Sequence, residues 1–262
     1  MHPILIDLGI MQIATYGALV ALGYLSALWY LHSHADAMRI KKDDIFNLAL
    51  SVILGAMVGG KLLFAILFWS DYGTGFWERS IGVIKDMRYG FVYFGGMAGA
   101  LSAGFLFVRI KKLKYFKLGD YFAPATALGH AIGRLGCFFA GCCHGHKTHS
   151  IFGVKFTNPY CLVSREYLGV PIHPTQLYEV AGNLVLFFIL HKMLNKTSKT
   201  EGNVLLTYIC GYSVLRFVIE FFRGDDRGRY FLSMSPSQWV SVIALLAVIG
   251  YLIYVKNKKI QV

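Results

Sequence analysis

The residues most able to do chemistry in this chain are charged groups embedded in apolar sequence. Arg134 lies in GHAIGRLGCFFAGCCHG, residues 129–145, which is mostly apolar and flanked by apolar sequence. An unpaired cation at membrane depth is costly, so Arg134 needs a partner, and ionisable groups in such places are functional by default. Tyr212, Arg216 and Glu220 recur every four residues and therefore share one helix face. The segment HPTQLYE, from His173 to Glu179, has a proline after which a helix can start, and it carries Glu179 inward as a partner for Arg134 or Arg216. Arginine binds phosphate oxygens through a planar fork of donors. The abundant phosphates reachable from within a bilayer belong to lipids, so the cluster predicts a phospholipid substrate. The plainer alternative is a set of ion pairs that only brace helices, with Arg216 and Glu220 as an i,i+4 pair. A channel or transporter would show pore-lining repetition or symmetry between halves, and the sequence has neither.

These groups must be positioned by membrane helices. The chain has 262 residues, 56% hydrophobic and 15% charged, against roughly 25% charged in soluble domains. The net charge of +12 is read as loops beside anionic headgroups rather than as a nucleic-acid surface. Apolar runs cover approximately 13–31, 44–69, 91–109, 119–141, 176–194, 203–222 and 237–255, each near the ~20 residues that cross a bilayer core. The expectation is an all-α, polytopic membrane protein of about seven transmembrane helices, forming a single domain over 1–262. The fourth run is the least regular, because it carries Asp120, His130 and Arg134 and its glycines can bend or interrupt it. Fourteen Lys and Arg follow the odd-numbered runs and nine lie on the opposite side, which predicts the N-terminus outside and the C-terminus in the cytoplasm. The loop 142–175 is then exoplasmic. Polar side chains retained within the runs include Tyr16, Lys61, Tyr93, His130, Gln176, Tyr178, Asn183 and Tyr212.

Several of these motifs, taken in order, resemble the prolipoprotein diacylglyceryl transferase family. IGRLGCFFAGCCHG is similar to a signature running Gly-Arg-x-Gly-Asn-Phe and closing on a glycine. HPTQLYE, YSVLRFVIEFFR (Tyr212 to Arg223), Tyr16-Gly17, FGGM (Phe94 to Met97) and SMSPSQ (Ser233 to Gln238) resemble other family motifs, and together they span nearly the whole chain. The resemblance implies transfer of the diacylglyceryl group of phosphatidylglycerol to the lipobox cysteine of a prolipoprotein in the bacterial cytoplasmic (inner) membrane, without a cofactor and without nucleic acid. It implies catalytic roles for Arg134, Arg216, Glu179 and Tyr212. Substrate-binding roles fall to Tyr16, Lys61, Tyr93, His130, Cys137, Gly145, His173, Glu220 and Arg223. Three positions depart from the family pattern: Phe94 stands where the family has a histidine, Cys137 where it has asparagine, and Lys61 where it has arginine. Phe94 cannot accept a proton, so His130 and His173 are the nearest spare bases in the sequence. The alternatives are the same lipid chemistry with another acceptor, or a non-enzymatic phospholipid-binding or transport protein.

Cys142, Cys143, His144, His146 and His149 invite a zinc reading, but the adjacent cysteines lack the C-x2-4-C spacing of a structural site. No metal is expected. On an oxidising exoplasmic face, the expectation is a disulfide from Cys142 or Cys143 to Cys161.

Overall fold

The structure is a computed structural model and describes residues 2–7, 9, 12–85, 90–196, 201–225 and 231–260. Of the basic residues used to orient the chain, Arg88, Lys199, Arg227 and Arg229 lie outside the described residues, as does Val262. An antiparallel ribbon of β1 (Ile4–Asp7) and β2 (Gln12–Ala14) leads into α1 (Thr15–Ser33), then α2 (Ala35–Met38), α3 (Lys42–Leu67), α4 (Phe76–Lys85), α5 (Tyr93–Ile110) and α6 (Tyr115–Ala140). A second antiparallel ribbon, β3 (Val154–Lys155) and β4 (Pro171–Ile172), precedes α7 (Thr175–Lys196), α8 (Asn203–Glu220) and α9 (Pro236–Ile260).

Each of the seven apolar runs falls on a helix: α1, α3, α5, α6, α7, α8 and α9. Four of these, α3, α7, α8 and α9, are long and apolar enough to cross a membrane. The fourth run is one continuous helix, α6, despite Pro124 within it and its glycines. The helices present apolar side chains outward and polar ones inward, the reverse of a soluble protein. On α7 and α8, Val185, Phe188, Val214 and Val218 are exposed, while Gln176, Glu179, Asn183, Arg216 and Glu220 are buried. That inversion, over helices of this length, makes the chain a membrane protein.

The chain forms two compact units, His32–Leu118 and the remainder, Met1–Leu31 with Gly119–Val262. In the first, α3 lies against α5 through Gly55 and Gly59 on one helix and Gly95 and Gly99 on the other. A Cβ at Gly99 would collide with the Gly55 carbonyl, and one at Gly95 with the Gly59 carbonyl, so only glycine permits this backbone approach. Lys61 belongs to this unit, its ammonium 5.1 Å from the centre of the Phe64 ring and 5.8 Å from that of Phe91.

In the larger unit, Gly23 of α1 meets Gly129 of α6, where a Cβ would stand 2.6 Å from the Gly129 carbonyl oxygen. Ala123 and Ala127 of α6, Leu190 of α7 and Val204 of α8 form a buried core. Asp120, which the sequence marks as an intrusion, caps α8: its Oδ2 accepts from the Gly202 amide at 2.7 Å and its Oδ1 from Leu205 at 2.9 Å. The loop 142–175 has a small core of its own, Phe156, Cys161, Val163 and Ile172, with Phe138, Val154 and Tyr167 against it.

Candidate active site

The site is built around Glu179, which sits one turn into α7 and is 1% exposed. Its Oε2 lies 2.5 Å from Arg134 Nε and 3.7 Å from His130 Nε2. Its Oε1 lies 3.4 Å from Arg223 Nη1 and 3.6 Å from Arg216 Nη1. One carboxylate thus gathers three guanidiniums carried by α6, α8 and the turn after α8. Two further carboxylates complete the charge balance. Glu220 Oε2 is 2.7 Å from Arg216 Nη2, and Asp225 takes Arg223 bidentately at 2.9 and 2.8 Å. Arg216 Nη2 also donates to Ser237 Oγ at 3.0 Å.

The three arginines are not equivalent. Arg223 has a side chain only 2% exposed and its fork is filled by Asp225 and Glu179. Its pKa is pushed up: burial works against the charge, but the hydrogen bonds to Asp225 and to the Cys143 sulfur outweigh it. Arg216 is 9% exposed and Arg134 15%, so Arg134 keeps the most room for a ligand. On α6, Arg134 Nε donates to His130 Nε2 at 3.2 Å. That nitrogen is therefore an acceptor, with the imidazole proton on Nδ1. Tyr212 stands over His130, ring centres 5.1 Å apart, and stacks on Tyr208 at 5.9 Å.

The loop strands are woven tightly around this cluster. The Gly145 amide donates to the His173 carbonyl, the His146 amide to Phe222 and the Gly224 amide to His144, at 2.9, 2.9 and 3.0 Å. A Cβ at Gly145 would stand 2.5 Å from the Phe222 oxygen, so backbone crowding by itself requires a glycine there. Thr175 Oγ1 and Gln176 Nε2, both buried in the first turn of α7, each donate at 2.7 Å to the carbonyls of Cys143 and Cys142. His173 Nδ1 pairs with Tyr178 Oη at 3.1 Å, its ring edge-on to Phe222.

Of the residues expected from the sequence, Arg134, His130, Glu179, Tyr212, Arg216, Glu220 and Arg223 converge here. Tyr16 opens α1, its carbonyl close to Gly136 of α6. Lys61, Tyr93 and Phe94 belong to the other compact unit. Asp225 and Ser237 were missed. The only signal for Asp225 was its place two residues after Arg223, and Ser237 lay unremarked within SMSPSQ.

The expected disulfide is not formed, and no disulfide joins any of the five cysteines. Cys161 is taken into the loop core, where burial pushes its thiol pKa up. Cys142 and Cys143 turn instead toward Cys137, and the three sulfurs lie within 4.8 Å of one another. The Cys143 thiol is held below its ordinary range by the Cys137 and Cys142 thiols and by Arg223. Cys137 Sγ accepts from Arg134 Nη1 at 3.8 Å.

Residues 3–254 match the family model described as prolipoprotein diacylglyceryl transferase. Among curated relatives, the phosphatidylglycerol–prolipoprotein diacylglyceryl transferase of Clostridium tetani is 35% identical over 246 residues, 94% of each chain. The second such enzyme of Clostridium perfringens is 32% identical, with 95% of this chain and 92% of that one covered. The Clostridioides difficile enzyme is 31% identical over 92% and 89%.

Proposed function

We propose that this chain, which belongs to the prolipoprotein diacylglyceryl transferase family, transfers the diacylglyceryl group of phosphatidylglycerol to a cysteine thiol of a prolipoprotein. The bond from the glyceryl carbon to the phosphate oxygen breaks, and its electron pair stays on that oxygen. The acceptor sulfur bonds to the carbon as a thioether, the thiol proton goes to a base, and glycerol phosphate leaves. The leaving phosphate gains a negative charge during this step, so cations fixed beside it stabilise the transition state more than the bound lipid.

The observation that carries the reading is the set of guanidiniums gathered by buried Glu179. Arg134 and Arg216 are the phosphate-binding pair, Arg134 being the more open. Glu179 aims them, and Glu220 and Arg223 hold the frame. When Arg134 turns to the lipid phosphate it frees the His130 Nε2 lone pair it now occupies, and with phenylalanine at 94 that nitrogen is assigned the thiol proton. His173, paired with Tyr178, positions the loop. Tyr16, Cys137 and Tyr212 complete the lipid and acceptor surroundings, Gly145 lets the loop backbones cross beside the cluster, and Lys61 and Tyr93 keep the substrate-binding roles that the family resemblance implies. On this reading the whole of 1–262 acts as one transferase domain with seven spans in the bacterial cytoplasmic membrane. The N-terminus is outside, and the acceptor is the lipobox cysteine.

Purified protein incubated with phosphatidylglycerol and a lipobox peptide should yield the lipidated peptide by mass spectrometry. Arg134→Lys and Arg216→Lys keep the charge and lose the fork, and each should cut turnover by about 10²–10³-fold, as for loss of a preorganised donor. Near-normal turnover in either variant removes that arginine from the role. Phosphatidylglycerol cleavage with no peptide lipidated would point to another acceptor, and binding without cleavage to a lipid carrier. A topology reporter near His149 should read as exoplasmic and one after Val262 as cytoplasmic. The reverse pattern overturns the orientation.

A further inference from the structure

The cysteine group beside the site does not follow from the transfer reaction. Cys137 opens the last turn of α6, and the chain then reverses at Gly141 (φ 80°) and Cys143 (φ 61°). This double left-handed step folds Cys142 and Cys143 back over the helix end. Cys142 Sγ points at the Cys137 carbonyl, 3.8 Å away. The fold-back is held from outside by Thr175 and Gln176, which bond the carbonyls of Cys143 and Cys142 at 2.7 Å. Both clamps are at most 1% exposed. Left-handed φ at a non-glycine residue is unfavourable and persists where surroundings over-determine it.

We propose that Cys137, Cys142 and Cys143 form a three-thiolate site for a thiophilic d10 cation of the Zn²⁺ type. Three sulfurs about 2.3 Å from one zinc ion stand roughly 3.8 Å apart. Sulfurs already within 4.8 Å of one another reach that spacing by side-chain rotation, with the clamped backbone unmoved. Soft thiolate ligands select such ions over Mg²⁺ or Ca²⁺. Three thiolates and a divalent ion sum to one negative charge, and Arg134 and Arg223, each bonded to a sulfur of the group, face that charge. Such a site takes three protein ligands and leaves the fourth position open, as catalytic rather than structural zinc sites do. His144 is not a ligand in this arrangement: its Nδ1 lies 3.1 Å from the Gly145 carbonyl and its ring packs on Tyr167. Weighing Cys142 and Cys143 against the histidines alone, as the sequence invites, hides the site, because its first ligand is Cys137 in the preceding helix.

The test is a titration of the reduced, detergent-solubilised full-length protein with Cd²⁺, followed by thiolate-to-metal charge-transfer absorption in the ultraviolet. One equivalent should bind, and Zn²⁺ should displace it competitively. Losing even an outer-shell partner typically costs 10–100-fold in metal affinity. Cys137→Ser, Cys142→Ser and Cys143→Ser should each weaken binding by at least that much, while Cys161→Ser and Cys210→Ser leave it unchanged. A variant that fails to insert does not stop the test, because the wild type supplies a second readout. Zn²⁺ should protect Cys137, Cys142 and Cys143 from alkylation, mapped by mass spectrometry, and leave the rates at Cys161 and Cys210 as they were. Absence of charge-transfer absorption, or protection spread evenly over all five cysteines, overturns the site.

Discussion

The two compact units differ in what the helices at their centres meet around. In His32–Leu118, α3 and α5 meet through four glycines, and the contact is backbone on backbone. In the larger unit, α6, α7 and α8 meet around Glu179, three arginines and two more carboxylates. Between helices in lipid there is no hydrophobic drive, so association must come from close packing or from polar groups that satisfy one another. The glycine contact gains dispersion energy at little desolvation cost. The charged cluster pays heavily for burial, and well-packed apolar residues of similar volume often match or exceed a buried ion pair in stability. A membrane protein that needed only cohesion would use the first device throughout. On the proposed function, the second is kept where charge itself is used.

The sharpest way to break this comparison is at Glu179. Glu179→Ala leaves Arg134 without a carboxylate and takes one partner each from Arg216 and Arg223. Removing one member of a buried ion cluster costs about 3–5 kcal/mol, and turnover should vanish along with the lowered melting temperature. A Glu179→Ala protein that melted normally in detergent and still lipidated peptide would show the cluster to be incidental.

Next in size is Gly99→Val. The added side chain meets the Gly55 carbonyl and the Gly59 backbone, and overpacking of this kind costs about 1–3 kcal/mol. Gly104→Ala on the same helix is the control, since its Cβ meets nothing nearer than Val52 Cγ2 at 3.4 Å. Equal melting temperatures for the two variants would contradict glycine-mediated contact between α3 and α5.

The same contrast shows what a linear sequence discloses. Helix existence was legible at all seven runs because long apolar stretches must satisfy their backbone groups internally, and four of the resulting helices are long and apolar enough to cross a membrane. The convergence of Arg134, Arg216 and Glu179 was legible too, because buried charges must pair. The i,i+4 glycines of α3 and α5 were present in the sequence, but a repeat of two small residues is too common to name its partner helix. The Cys137, Cys142 and Cys143 group depended on a backbone reversal with two left-handed residues, which no spacing rule contains. That Asp225 and Glu179 fill the Arg223 fork was not legible, because nothing local in the sequence pairs Arg223 with either.

Asp120 is the finest test, because it is a buried carboxylate in the charged unit that acts like packing. Read from the sequence it disturbs the fourth run, yet its partners are the Gly202 and Leu205 amides, 82 and 85 residues away. Helix α8 begins after Gly202, at φ 99° and with no side chain of its own to cap the free amides. Asp120 supplies that cap from α6 and places a negative charge at the positive end of the helix dipole. Loss of a cap typically costs about 0.5–2 kcal/mol, so Asp120→Ala should lower the melting temperature by less than Glu179→Ala does. Asp120→Asn retains one acceptor oxygen and should lie between Asp120→Ala and wild type. Turnover per folded molecule should stay unchanged in both, since Asp120 caps a helix end and is no member of the ion cluster proposed to bind phosphate. A turnover loss comparable to that of Arg134→Lys would instead extend the functional charges to the α8 start, and the division between cohesive and catalytic charge would have to be redrawn there.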